Sequence, residues 1–277
     1  MELFGLDILG IVIRIGLGLA VGFCIGLTGV GGGVLVLPAL TIFLRMNAVM
    51  AVGTASLYSF LAKISATIHH AKLKTIDWKL SLLFLAGAVP ADILVASWVA
   101  DHGGSEEFAN ALQHFITGMV FFCVAVMLWN LIRQIRNQKA TGSPSLLSDH
   151  VTENPMRRRL LGVAMGGVVG ALIGATSIGG GVLIVPILMV LFGLQTSRTV
   201  GSSIFIALVL TMMTSVIYGR GGEVDWATAL VMAAGSLIGV PLGSKLSVKI
   251  PDRILYSVVI VLVFAVAIMM LIKDGGH

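Results

Sequence analysis

The sequence predicts an all-α integral membrane protein, an inverted repeat of two five-segment halves with broken or re-entrant short helices. Three observations lead there. The 277 residues are 57% hydrophobic and 11% charged, with a mean hydropathy of +1.02, whereas soluble domains carry about 25% charged residues. Apolar runs close to the roughly 20 residues that cross a bilayer recur along the whole chain, parted by short polar clusters. The chain also repeats itself at an offset of 148: residues 22–40 read GFCIGLTGVGGGVLVLPAL and residues 170–188 read GALIGATSIGGGVLIVPIL, identical at 11 of 19 positions without a gap.

The same offset carries Gly53-Thr54 onto Gly201-Ser202, Asp77-Trp78 onto Asp225-Trp226 and Gly87 onto Gly235, so the duplication covers a half-protein. The first half, 1–132, holds apolar segments at 8–27, 33–44, 49–71, 78–100 and 108–132. A polar stretch at 133–159, rich in Pro, Gly, Ser and charge, reads as a linker. The second half, 160–277, holds segments at 160–175, 181–193, 197–219, 226–248 and 254–272. The first two segments of each half are short. A helix of about twelve residues reaches roughly 18 Å, below the roughly 30 Å of hydrocarbon, so the second segment of each half cannot span alone.

Charge orients the segments. Arg133, Arg136, Lys139, Arg157, Arg158 and Arg159 place the linker in the cytoplasm, and Lys72, Lys74 and Lys79 fall on the same side. The acidic stretch from Asp101 to Glu107 then lies outside, and Lys245, Lys249 and Arg253 inside. Five segments per half invert the second half against the first and put both termini outside, the plan on which many carriers build alternating access. The opening MELFGLDILG lacks a basic n-region and reads as mature protein. Cys24 and Cys123 lie in apolar segments without CxxC or Cys/His spacing and read as packing residues. The net charge of +5 sits at segment ends, which argues against a nucleic-acid surface.

Each half carries a helix-breaking run, Leu27-Thr28-Gly29-Val30-Gly31-Gly32-Gly33 and Ala175-Thr176-Ser177-Ile178-Gly179-Gly180-Gly181. Irregular backbone at membrane depth is tolerated only where protein buries it or it lines a wet cavity, so the two breaks are expected to meet at an internal site. A new helix is expected to begin at about Gly33 and Gly181. Its free N–H groups, the positive dipole end and glycines that let a ligand reach the backbone suit an anion. Thr28, Thr176 and Ser177 add hydroxyl donors. Gly18, Gly22 and Gly26, matched by Gly166, Gly170 and Gly174, form small-xxx-small ladders instead, where a methyl group is expected only to widen a helix contact. No GK[ST] follows the glycines, so they are not a nucleotide loop.

Hydroxyls of Thr54, Ser56, Ser202 and Ser203, near the start of the third segments, are further candidate donors to an oxyanion, though such groups also bond a carbonyl one turn back. Lys63, about 12 Å from the cytoplasmic end of its segment, is either a counter-ion for the substrate or a snorkelling lysine; Thr211 is its repeat counterpart. Asp92, opposite Val240 in the repeat, is either a proton-coupling carboxylate or a water-exposed residue near the outer end. Arg45 and Arg198 read as interface anchors, and Arg14 has no assigned place. His69 and His70 have no carboxylate or cysteine at metal-ligand spacing, so no metal site is expected.

The paired signatures GLTGVGGGVLVLPAL and GATSIGGGVLIVPIL, each followed by a short helix and Gly-Thr or Gly-Ser, resemble the TauE/SafE family of membrane transporters, the sulfite exporter or toluene sulfonate uptake permease family. The resemblance covers nearly the whole chain. It departs at Ala55, which interrupts Gly53-Thr54-Ala55-Ser56, and at Ser177, where the first copy has Gly29. It implies transport of small sulfur-containing or organic anions such as sulfite, sulfonates or sulfoacetate. The substrate-binding candidates are thus Thr28, Gly31, Gly32, Gly33, Thr54, Ser56, Lys63, Thr176, Ser177, Gly179, Gly180, Gly181, Ser202 and Ser203. Expected partners are a small anion, the lipid bilayer and a coupling proton or sodium ion, with no cofactor. A passive anion channel could use the same backbone chemistry. An intramembrane enzyme would need a motif such as HExxH or GxSxG, which the sequence lacks.

Overall fold

The structure, a computed structural model, describes residues 7–28, 33–137, 155–178, 180–194, 196–247, 260–261, 263–265 and 267–272. Every regular element among them is helical. In order they are α1 (Ile8–Thr28), α2 (Gly33–Phe43), α3 (Ala48–Lys72), α4 (Trp78–His102), α5 (Glu106–Asn137), α6 (Pro155–Thr176), α7 (Ile184–Val190), α8 (Thr196–Arg220) and α9 (Trp226–Ser247). Seven of them, α1, α3, α4, α5, α6, α8 and α9, contain a stretch long and apolar enough to cross a membrane. The first segment of each half is therefore not short: α1 has 21 residues and α6 has 22, enough for roughly 30 Å. The second segments are short as expected, with 11 residues in α2 and 7 in α7. Residues 133–137 continue α5 and 155–159 open α6, so only 138–154 of the linker lie outside the described residues, together with 254–259, 262 and 266 of the tenth segment and the chain ends; the described residues of the tenth segment are helical.

Local chemistry starts the helices where the polar clusters occur. Asn47 Oδ1 accepts from Met50 N at 2.7 Å, Asp77 Oδ1 from Leu80 N at 3.1 Å, Ser105 Oγ from Phe108 N at 3.2 Å and Asp225 Oδ1 from Thr228 N at 2.9 Å. Each side chain satisfies one of the N–H groups a helix start leaves unpaired. Trp78 and Trp226, repeat counterparts just inside two of these caps, are both about half exposed and suit a membrane interface.

Packing between the halves is reciprocal. α1 lies along α9, and α4 along α6. A Cβ at Gly18 would overlap the Met232 carbonyl, and one at Gly22 would fall 2.8 Å from Ser236 Cα, so the contact advances in the same direction along both helices. Shifted by the repeat, Gly166 meets the Phe84 carbonyl and Gly170 the Ala88 carbonyl in the same way. Gly87 against Val163 and Gly235 against Ile15 complete the set from the opposite sides. The ladders thus bring backbone onto backbone, the closest approach small residues permit. The expectation that a methyl group there would only widen a contact is corrected: neither partner can yield, because each is main chain.

Two hydrogen bonds repeat the exchange. Asp225 N donates to Thr54 Oγ1 at 3.0 Å, and Asp77 N donates to Ser202 Oγ at 2.9 Å. Each ties the third helix of one half to the cap of the fourth helix of the other. Thr54→Val and Ser202→Ala should each lower stability by about 1 kcal/mol by orphaning an amide, measured as thermal melting in detergent, with the two losses adding.

The core lies around α2 and the first half of α3. Residues Gly33–Thr41 of α2 are all buried, as are residues 48, 49 and 51–59 of α3. The most apolar stretch of α3 is 72% buried, against 17% for α1, which places α3 inside and α1 at the lipid face. Tyr58 and Tyr218, the largest fully buried side chains, satisfy their hydroxyls on the Gly18 carbonyl at 3.2 Å and the Gly174 carbonyl at 3.0 Å.

Candidate functional site

A glycine run gains too little from helix formation to offset its backbone entropy, which favours a helix end at such a run. α1 stops at Thr28 and α2 resumes at Gly33. A Cβ at Gly33 would overlap the Ser177 carbonyl and approach Ile178 Cα at 3.3 Å. The two breaks, far apart in sequence, therefore touch through their backbones, and only glycine fits at that point. Gly31, Gly32 and Gly179 lie outside the described residues, as does the side chain of Thr28.

In the second break Thr176 turns its hydroxyl back, donating to the Leu172 carbonyl at 2.6 Å and accepting from Ile178 N at 3.1 Å. Ser177 N closes the helix on the Ile173 carbonyl at 2.6 Å, and Ser177 adopts a φ of +55°. That left-handed conformation ends helices but costs a non-glycine residue roughly 1–2 kcal/mol. Ser177 Oγ is buried with no hydrogen-bond partner. Gly180 follows, where a Cβ would lie 2.8 Å from Ala207 Cβ, and Gly181 is buried. The helix expected from Gly181 begins instead at Ile184, after a turn over residues 180–183. Pro186 falls in the first turn of α7, where its missing N–H costs nothing, whereas its repeat counterpart Pro38 lies inside α2.

The third helices supply the other candidates. Thr54 and Ser202 use their acceptor capacity on Asp225 and Asp77. Ser203 donates to the Val200 carbonyl at 2.9 Å. Ser56 Oγ is buried without a partner. Lys63 is buried, and its Nζ reaches back to the Ser59 carbonyl at 3.4 Å instead of forward to the end of α3. Beside them stand two residues that the sequence reading passed over, Ser59 and Thr67, whose hydroxyls are also buried and unpartnered. Ser56, Ser59, Lys63 and Thr67 are spaced 3, 4 and 4 apart, one face of a helix. That spacing was the signal available in the sequence.

This polar stripe belongs to one half only. The matching positions on α8 are Ile204, Ala207, Thr211 and Ser215, and there the two hydroxyls are satisfied on the Ala207 carbonyl at 2.7 Å and the Met212 carbonyl at 2.9 Å. Buried hydroxyls without protein partners are groups that a polar ligand or water satisfies, and an ammonium among them favours an anion.

The remaining candidates sit apart. Arg14 finds its place at the start of α9, its Nε donating to Thr228 Oγ1 at 2.6 Å while Thr228 donates to Asp225 Oδ2 at 2.6 Å. Arg45 and Arg198 are exposed. His70 Nδ1 lies 2.9 Å from Thr75 Oγ1. Asp92 is fully buried, which overturns the reading of it as a water-exposed residue: the face of α4 that carries it packs on α6 and α8. Among the described residues no group of three or more potential metal ligands occurs.

The model of the family described as "Sulfite exporter TauE/SafE" matches residues 14–270. The chain is 32% identical over 241 residues to "Probable membrane transporter protein YjnA" of Bacillus subtilis, covering 86% of this chain and 90% of that protein. It is 30% identical over 251 residues to "Probable membrane transporter protein YunE" of the same organism, covering 87% and 90%. A "Probable membrane transporter protein" of Xylella fastidiosa is 27% identical over 267 residues, 95% of each chain. No solved structure matches the chain significantly. With this match over nearly the whole length and seven helices able to cross a bilayer, the chain belongs to the sulfite exporter TauE/SafE family and is a multi-pass membrane transporter.

Proposed function

We propose that this protein is a secondary carrier for a small oxyanion of the sulfite or organosulfonate class, bound where the two Gly-rich breaks meet. The observation that carries this is the backbone contact of Gly33 with Ser177 and Ile178, beside a buried Ser177 hydroxyl that no protein group satisfies. The α2 N-terminus contributes N–H donors and dipole, and the buried stripe of Ser56, Ser59, Lys63 and Thr67 on α3 offers further hydroxyls and one positive charge. Thr54 and Ser202 serve chiefly to hold the halves together through the amides they accept from. The family description names sulfite, which fits a compact anion bound by backbone and hydroxyl donors.

The halves, 1–132 and 160–277 around a cytoplasmic linker, work as an inverted repeat. Two facts support it. α1 runs alongside α9 in the same direction, and α4 alongside α6, so the first helix of each half matches the fourth helix of the other. The loop before α9 also sits against the start of α3, through Gly53 and Glu223, as the loop before α4 sits against the start of α8, through Gly201 and Thr75. Rocking of one half against the other would expose the break site alternately. Single cysteines placed near each terminus and in the linker test the arrangement: both termini should react with an impermeant reagent from outside and the linker only after permeabilisation. A terminus reactive only from the cytoplasm overturns it. For the substrate, radiolabelled sulfite and methanesulfonate should bind the purified protein saturably, and binding of cations alone would refute the class.

A further inference from the structure

We infer that Asp92 carries the proton whose movement couples anion transport to a pH gradient. The inference rests on the carrier reading above and adds the coupling ion to it.

Asp92 is a buried carboxyl group with no carboxyl counterpart in the second half. It lies 14 residues into α4, fully buried, and its repeat counterpart on α9 is Val240. Its Oδ1 accepts from Thr214 Oγ1 on α8 at 2.8 Å, and its Oδ2 is buried with no partner. The groups facing it are few. α8 offers Thr214 and Tyr218, the latter within electrostatic reach of Asp92 and of Glu223 in the loop after α8. Glu223 is itself held above the usual carboxylate range by partial burial. α6 faces it with Gly170 and Gly174, which cannot titrate. None of these groups is a cation. An unpaired carboxylate in such a place is costly, whereas the neutral acid is tolerated, so charge appears on Asp92 only when the site opens to water.

Its position ties that opening to the substrate site. A Cβ at Gly174 would fall 2.7 Å from the Asp92 carbonyl oxygen and 3.2 Å from Asp92 Cα, so α4 and α6 are locked at this level. Two residues further along α6 the second break begins to turn, at Thr176 and Ser177. Thr214 is also on the helix whose Tyr218 holds the Gly174 carbonyl. A shift of the break between inward-open and outward-open forms therefore moves the walls around Oδ2. The carboxylate takes a proton from the side to which it is open, is carried neutral through the occluded form, and releases the proton to the other side. No other bond forms or breaks.

The test uses methanesulfonate, a fixed monoanion at all working pH values, so any response to pH belongs to the protein. In proteoliposomes with the membrane voltage clamped, a gradient of one pH unit should drive about tenfold accumulation in the wild type, the limit for one proton per anion. Asp92→Asn keeps an acceptor for Thr214; it should abolish this accumulation while exchange of labelled for unlabelled methanesulfonate persists within about twofold of wild type. Accumulation by the variant equal to wild type, a wild type that transports without responding to the gradient, or loss of exchange together with accumulation in a folded variant would each overturn the role. Infrared spectroscopy separates this from the substrate reading. A protonated-carboxyl stretching band at neutral pH that disappears in Asp92→Asn supports the assignment even if methanesulfonate is not a substrate, and its absence from the wild type refutes it even if methanesulfonate is transported.

Discussion

Gly166→Ala is expected to destabilise the protein by at least about 3 kcal/mol, and Gly18→Ala by as much, because each methyl group would overlap a main-chain carbonyl of the facing helix, Phe84 or Met232. Ordinary overpacking is relieved by a side chain changing rotamer. Here the obstacle is backbone held by its own helix, so relief requires α6 to move away from α4, or α1 from α9, along their whole contact. The reciprocal contacts at Gly170 and Gly22 would be strained in turn. Two controls lie in the same protein: at Gly16 and Gly118 a Cβ meets nothing within 4 Å. Gly16→Ala and Gly118→Ala should therefore be neutral or stabilise by up to about 1 kcal/mol, as alanine does in a helix interior. Melting of the four variants in one detergent checks the ordering, and equal melting of Gly166→Ala and Gly118→Ala would mean that the helices do not meet as described.

Ser177→Ala is expected to weaken binding of sulfite or methanesulfonate about tenfold while leaving the melting temperature unchanged. The two readouts separate because Ser177 Oγ has no partner within the protein, so its removal deprives no protein group of a hydrogen bond. A charge-assisted hydrogen bond from that hydroxyl to the bound anion, worth about 1.5 kcal/mol, would be lost. Ser177→Gly makes the complementary case. It removes the same hydroxyl but relieves the left-handed conformation at φ +55°, so it should bind as weakly as the alanine variant and melt higher by a few degrees. Binding unchanged in both variants would place the anion away from the second break.

Much of the architecture could be read from local properties of the chain. Hydropathy marks the helices to within a few residues because the bilayer sets their length, and α3, α4, α8 and α9 match the apolar segments at 49–71, 78–100, 197–219 and 226–248. The triple glycines mark the breaks because helix propensity is a property of the residue, and Asp77 and Asp225 mark helix starts because caps are. The offset of 148 paired Gly53-Thr54 with Gly201-Ser202, and those positions proved to make the same contacts in exchanged halves.

The sequence by itself determined which stretches are helical, where they break and that one unit is present twice. Only the tertiary structure decided which side of each helix is inside. In water a surface helix advertises its buried face by alternating apolar and polar residues. In lipid the outer face is as apolar as the inner one, so that signal is lost. This is why Asp92 could be read as exposed although it is fully buried, and why Gly18 and Gly166 seemed forgiving. Each depends on what the neighbouring helix presents at that level. That the two Gly-rich runs meet could be expected from the sequence, but that Gly33 is the residue set against Ser177 is decided by the packing of α1 on α9 and α4 on α6.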